Sequence, residues 1–272
     1  RRPPRSTLFP TRRSSDLLTV NRTKRCYELN EKENDMRKNI LLNMILITGL
    51  GVGCAKTDSS NIKTSGFYAD YTVKTSATNP SVATCSASFR VEAGGTYIDL
   101  SSGDTVTCNG QSMSRSELFG IVTYTATLAA TVGSTYTVVL TRSGEAPYSA
   151  SVTLPEAVSP TSPASGASGT KGNVLSFSWA TSSSSIDTMT VSSSSVTSGD
   201  TKCPVAAYFQ DSAPENGVGS FSASEMSLPA TGSAGACSMN ITWQRRRAGS
   251  MPSGLKGDIT GVQEATRTIT LN

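Results

Sequence analysis

The chain contains no histidine, and that absence bounds its chemistry more than any residue present. Imidazole is the commonest general base, the usual partner of a serine or cysteine nucleophile, and the commonest metal ligand. Carboxylates, hydroxyls, thiols and guanidinium groups remain. Asp99 and Asp104 flank the loop Leu100-Ser101-Ser102-Gly103, and a carboxylate pair is what glycoside hydrolysis requires. Such an enzyme also needs a substrate cleft, and Asp104 after Gly103 reads more simply as a turn residue ahead of a strand. Asp200, Asp211, Glu215 and Asn216 offer oxygen ligands of the kind calcium takes, but not at the spacing of a helix–loop–helix calcium site. A solvated acidic loop is the expectation, with no metal and no cofactor. Arg245-Arg246-Arg247 form a basic run. On a strand, successive side chains face opposite sides, so Arg246 parts from its neighbours and a charged strand end results. Trp179 and Trp243 could stack against a sugar, yet each continues an inward-facing set and is expected in a core.

Net charge removes another class of function. The 272 residues carry +4 overall, but eleven of the 24 basic and five of the 20 acidic side chains precede Cys54. From Cys54 onward 13 basic and 15 acidic groups remain, a net charge of −2. A weakly acidic body has no electrostatic attraction for phosphate, so no nucleic-acid partner is expected. Residues 1–17 are rich in Arg, Pro and Ser and lack hydrophobic periodicity, and a basic, polar stretch continues to Asp35. Neither has the composition of a packed domain. Residues 9–17, FPTRRSSDL, resemble a translated sequencing-library adapter. Residues 1–35 are therefore expected to be foreign or disordered, with Met36 as the native start.

Residues 36–53 have the order of an export signal. Met36-Arg37-Lys38 is basic, residues 40–50 are apolar except for Asn43, Thr48 and Gly49, and Gly51-Val52-Gly53 are small. The apolar run falls short of the roughly 20 residues that span a bilayer. Its end, Leu50-Gly51-Val52-Gly53-Cys54, resembles the lipobox of bacterial lipoproteins, with Leu50 one place further from the cysteine than is usual. The resemblance implies lipidation of Cys54, which becomes the new N-terminus, and a membrane partner reached through acyl chains. Ala55 in place of Asp after the cysteine implies, by enterobacterial sorting logic, the outer membrane. Residues 54–65 are then the lipidated cysteine and a polar tether.

Six cysteines are present. Cys26 precedes the expected start and Cys54 is assigned to lipid, which leaves Cys85, Cys108, Cys203 and Cys237. An oxidising, exported location makes disulfides the default for such thiols, and Cys85 with Cys108 and Cys203 with Cys237 is the expected pairing. Each loop so closed contributes roughly 3 to 4 kcal/mol in the chain-entropy model. Zinc is disfavoured by the lack of histidine and of any C-x-x-C spacing.

The elements that hold these residues follow from alternation. Phe67, Ala69, Tyr71 and Val73 form one period-two set, and Cys85, Ala87, Phe89 and Val91 the next. Val122 to Leu128, Tyr136 to Leu140 and Ala150 to Leu154 follow, and in the second half Leu175 to Trp179, Met189 and Val191, Cys203 to Phe209, Cys237 to Trp243, and Ile269 and Leu271. All four cysteines lie on the apolar phase. Asn109-Gly110 predicts a two-residue hairpin, and a short helical turn is expected near residues 224–226. The expectation is an all-β chain of two tandem immunoglobulin-like sandwiches, residues 66–155 and 173–272, joined by the Pro- and Ser-rich linker 156–172. The pattern resembles the immunoglobulin-like or fibronectin III-like modules of exported bacterial lipoproteins. That implies a non-enzymatic, lipid-anchored protein displaying its modules for protein or glycan contact. A ligand-free envelope spacer and a histidine-independent hydrolase are the alternatives.

Overall fold

A computed structural model of the chain describes residues 56–75, 79–182, 186, 188–196, 203–211, 215–227 and 235–272. Apart from two three-residue 3-10 turns, Ser59–Asn61 and Thr64–Gly66, every regular element among them is a β-strand. Cys54 and Asp200 lie outside the described residues, as does the side chain of Asp211.

The first body contains β1 (Lys56–Asp58), β2 (Phe67–Thr75), β3 (Val82–Val91), β4 (Tyr97–Asp99), β5 (Thr105–Cys108), β6 (Gln111–Ser112), β7 (Ser114–Leu118), β8 (Ile121–Ala129), β9 (Thr135–Thr141) and β10 (Tyr148–Thr153). In β2, Phe67, Ala69, Tyr71 and Val73 are buried while the residues between them are partly exposed, as a strand with one face on a core requires. One sheet runs β1-β4-β3-β2, with β8 beside β3 and β7 beside β8, and the other runs β10-β9-β5-β6. Phe67, Tyr71 and Phe89 from the first sheet share a core with Val106, Val138 and Leu140 from the second. Cys85 on β3 reaches Cys108 on β5 with sulfurs 2.05 Å apart, so this bond ties sheet to sheet. Asn109 and Gly110 both have positive φ and form the two-residue turn between β5 and β6, as their types predict.

Residues 56–65 are not a free tether. β1 pairs in parallel with β4, Lys56 opposite Tyr97 and Asp58 opposite Asp99. Beyond it the chain has no strand partner, and the buried Arg142 supplies donors instead. Its guanidinium donates to the carbonyls of Ser59 (2.6 Å) and Ile62 (3.0 Å) and to the Thr64 hydroxyl (2.6 Å). The same group lies 4.6 Å over the Phe67 ring. A polar composition suggested a solvated spacer, but Ser and Thr are readily buried once their hydroxyls are hydrogen-bonded.

The second body contains β11 (Pro160–Ser162), β12 (Ser168–Gly169), β13 (Leu175–Trp179), β14 (Thr188–Ser195), β15 (Ala207–Asp211), β16 (Val218–Phe221), β17 (Cys237–Ala248) and β18 (Lys256–Leu271). The β11-β13-β16 sheet packs Phe177, Trp179 and Phe221 against Met189, Ile241 and Trp243 from β14 and β17. Cys203 and Cys237 are joined, sulfurs 2.13 Å apart. Segment 156–172 thus contains two short strands, and Pro160 sits on an edge strand, where a missing N–H is tolerated. Val205 departs from the expected inward set and is exposed. Residues 203–206 precede the strand, and there the Ser193 hydroxyl accepts from the Ala206 N–H at 2.7 Å.

β18 belongs to both bodies. Its residues 256–262 pair in parallel with β2, from Lys256 opposite Tyr68 to Val262 opposite Lys74. Along its other edge it pairs with β17 from Thr260 to Leu271, and at its end with β12. Leu255 and Ile259 enter the first core, Ile269 and Leu271 the second. Gly257, at φ +123°, allows the close parallel approach, because a Cβ there would lie 1.9 Å from the Ala69 carbonyl oxygen. Between the cores the contact is polar, with the Thr75 hydroxyl donating to Gln263 Oε1 at 2.7 Å.

The seam also opposes two carboxyls, Asp70 on β2 and Asp258 on β18. Burial pushes the Asp70 carboxyl up to about 6; Arg90 works against this, and the neighbouring Asp258 carboxyl reinforces it. A folded-state value raised above the unfolded one contributes stability that is complete below about pH 4 and is lost as pH rises through about 6. Asp258→Asn removes the like charge. It is predicted to raise the urea unfolding free energy at pH 7.5 by on the order of 1 kcal/mol after solvent screening, and to flatten the fall between pH 4 and 6. An unchanged pH profile would refute this account of the seam.

Candidate functional site

The polar residues that could do chemistry fall into three clusters, each built around an arginine. The first is at the N-terminal end of the first body. Arg115 on β7 grips Asp99 with two nearly parallel bonds, Nε to Oδ1 at 2.7 Å and a terminal nitrogen to Oδ2 at 2.6 Å. The Tyr124 hydroxyl donates to the same carboxylate at 3.2 Å and accepts from the Leu100 N–H at 2.7 Å. Lys56 reaches Glu117 at 2.8 Å. The Arg115 bonds hold the Asp99 carboxyl below its ordinary value against the opposing effect of burial. Lys56, followed by Arg115, does the same for Glu117. Burial pushes the Tyr124 phenol up to about 12, against the Leu100 N–H.

Asp104 belongs to the second cluster. It accepts from the Ser59 hydroxyl at 2.7 Å, from the Ser143 N–H at 3.0 Å and from Arg142 at 3.2 Å. Burial acts to raise this carboxyl, but the three donors together outweigh it and hold it below the usual range. Asp99 and Asp104 are therefore engaged by different cations, and both are held ionised. A hydrolytic pair needs one member kept protonated as the acid, and this arrangement does the opposite.

The third cluster corrects two sequence expectations. Glu215 is not part of a solvated acidic loop. It is buried, accepting from Arg245 Nε at 2.6 Å on one oxygen and from Arg245 (2.7 Å), the Trp179 indole (3.1 Å) and the Ser182 N–H (3.1 Å) on the other. Nor is Arg245 a charged strand end. It is 2% exposed and also donates to the carbonyls of Ala157 (2.7 Å) and Ala180. The signal was present in its register. Arg245 continues the inward phase of Met239, Ile241 and Trp243, as Arg142 continues that of Tyr136, Val138 and Leu140. Arg246 is exposed, so the three arginines do part as strand geometry demands. Trp179 and Trp243 are both buried in the second core, which leaves neither ring free to stack on a sugar.

The four cysteines beyond Cys54 lie in the two bonds described above. Among the described residues no group of three or more His, Cys, Asp or Glu is placed to hold a metal. No family model matches the chain. No curated protein matches it either.

Removing one partner of a buried pair leaves the other charge desolvated and alone. Glu215→Ala is thus predicted to lower stability by about 3 to 5 kcal/mol. The double change Glu215→Leu with Arg245→Met should recover part of the loss, because no charge is orphaned, while the Trp179 and Ser182 donors and the Ala157 and Ala180 carbonyls still lose their partners. Urea denaturation of the single and double variants reads the coupling, and additive losses would contradict it.

Proposed function

We propose that this chain is a lipid-anchored protein of the cell envelope, held at Cys54, that displays its β-sandwich bodies for contact with protein or glycan and performs no catalysis. The observation that carries the reading is the order of properties in the sequence. A basic start at Met36, an apolar stretch over residues 40–50 and the small Gly51-Val52-Gly53 lead to Cys54, two residues ahead of Lys56, the first residue of β1. The body agrees with an exported destination, since two cysteine pairs within bonding distance suit an oxidising compartment. No helix among the described residues is long and apolar enough to cross a membrane; the reading places attachment in the acyl chains. Asp99, Asp104 and Glu215 support the non-catalytic part of the reading, because each carboxylate is already committed to a guanidinium.

Contact is favoured over a bare spacer by the second body. Val174, Val205 and Val218 are exposed there. An open depression of about 420 Å³ lies on the β11-β13-β16 sheet, lined by Ser162, Ser176, Phe177, Val218 and Gly219. The spacer reading draws on the continuity of β18 through both bodies.

Metabolic labelling with a palmitate analogue tests the anchor. The wild-type chain is expected to take up label and the Cys54→Ser chain to lose it; equal labelling of the two would overturn the assignment of Cys54.

A further inference from the structure

The hairpin between β7 and β8 ends in a turn that its sequence does not favour. Leu118 pairs with Ile121, so the loop is Phe119-Gly120, and both residues have positive φ, 51° and 82°. The β5–β6 hairpin has the same kind of turn and fills it with Asn109-Gly110. Asn and Gly tolerate this backbone region, whereas a bulky aromatic residue adopts it only under strain. Phe119 gains no packing in exchange, for it is 77% exposed and Leu118 beside it is 47% exposed. A strained, solvent-facing aromatic is held in water only at a cost.

The neighbour is the start of β1. Lys56 is bonded to Glu117, the residue before Leu118, and Cys54 is two residues before Lys56. At 3.8 Å per residue the Cα of Cys54 lies within about 8 Å of that of Lys56. Register sets the direction. Lys56 is level with Tyr97 and Tyr97 with Arg90, while β18 departs for the second body after Val262, level with Lys74 and Thr84. Six residues of strand, about 20 Å, therefore separate the hairpin's end from the point where β18 leaves β2 for the second body. The charges beside the tip, Lys56 and Arg115 with Asp99 and Glu117, are mutually paired. They supply no net attraction to anionic headgroups, which leaves apolar insertion as the interaction on offer.

We infer that Leu118 and Phe119 form a second membrane contact, inserting into the lipid interface beside the acyl chains on Cys54 and seating the first body directly on the bilayer. The inference rests on the lipid-anchored reading. Interfaces accept aromatic side chains favourably, and a two-residue lead from Cys54 cannot carry the tip far from the surface.

The test uses the full chain carrying Phe119→Trp, purified from membranes and placed in phosphatidylethanolamine–phosphatidylcholine vesicles with or without brominated acyl chains. Trp179 and Trp243 are buried in the second body, so the wild-type chain reports the background. The added tryptophan is expected to emit further to the blue than in detergent and to lose intensity with brominated lipid, while wild-type emission stays constant. A labelled, vesicle-bound variant whose new emission is unquenched overturns the tip contact and leaves the anchor standing. Absence of acyl label on Cys54 overturns both. Phe119→Asn supplies an independent measurement: relief of backbone strain should raise its thermal midpoint, whereas a lower midpoint would show that Phe119 serves the fold and would overturn the inference.

Discussion

The parallel pairing of β2 with β18 is the constraint on which the rest of the molecule depends. Without residues 256–262, β2 would be the bare edge of its sheet, with a row of unpaired backbone groups, and Leu255 and Ile259 would be missing from the first core. The same strand then continues beside β17 and closes the second body. Bodies joined only by a linker move freely unless their interface is large and apolar. Here relative motion would have to bend or unzip a continuous ladder. The first body, though early in the sequence, is complete only once the last strand is in place, so its folding carries the entropy of closing a loop of nearly the whole described chain.

Where strand pairing stops, arginines take over. Arg142 collects the backbone carbonyls of Ser59 and Ile62, Arg245 those of Ala157 and Ala180, and Arg267 those of Pro160 and Pro163. Irregular backbone that lies against a core exposes acceptors with no ladder to satisfy them. A guanidinium offers five donors in a fixed plane, so one side chain serves several carbonyls. The accompanying carboxylates, Asp104 and Glu215, balance the charge that burial would otherwise penalise. The ionic groups that first suggested chemistry are in this sense joints: they fix the incoming segment to the first body and the connecting segment to the second.

Much of this was legible from alternation alone. Inward sets such as Phe67 to Val73 and Cys237 to Trp243 identify strands and a buried face, and Asn109-Gly110 identifies its turn. Alternation says nothing about which strand lies alongside, so the pairing of Tyr68 with Lys256, 188 residues apart, had no local signal. The carboxylates misled for a related reason. Asp99, Asp104 and Glu215 have the composition of exposed loops, and only the three-dimensional position of Arg115, Arg142 and Arg245 makes them structural. Two of those arginines could have been found, since both sit on the apolar phase of their strands, where a charge must have a partner. The docking of the polar run 56–65, with Ser59 and Thr64 buried, could not, because it depends on donors from Arg142, nearly 80 residues away.

The register gives the molecule a direction, with consequences for display. The incoming chain and the Phe119 hairpin share one end of the first body, and β18 leaves from the other. With Cys54 as the point of attachment, the second body is carried at the far end of that ladder, through paired backbone rather than a flexible spacer. A flexible tether lets a module sample many orientations, which broadens capture but lowers the effective concentration at any one target. A stiff stalk does the reverse: it keeps the depression on the β11-β13-β16 sheet at a fixed orientation relative to the first body. The shared strand thus does more than complete a core: it also fixes how the second body is carried on the first.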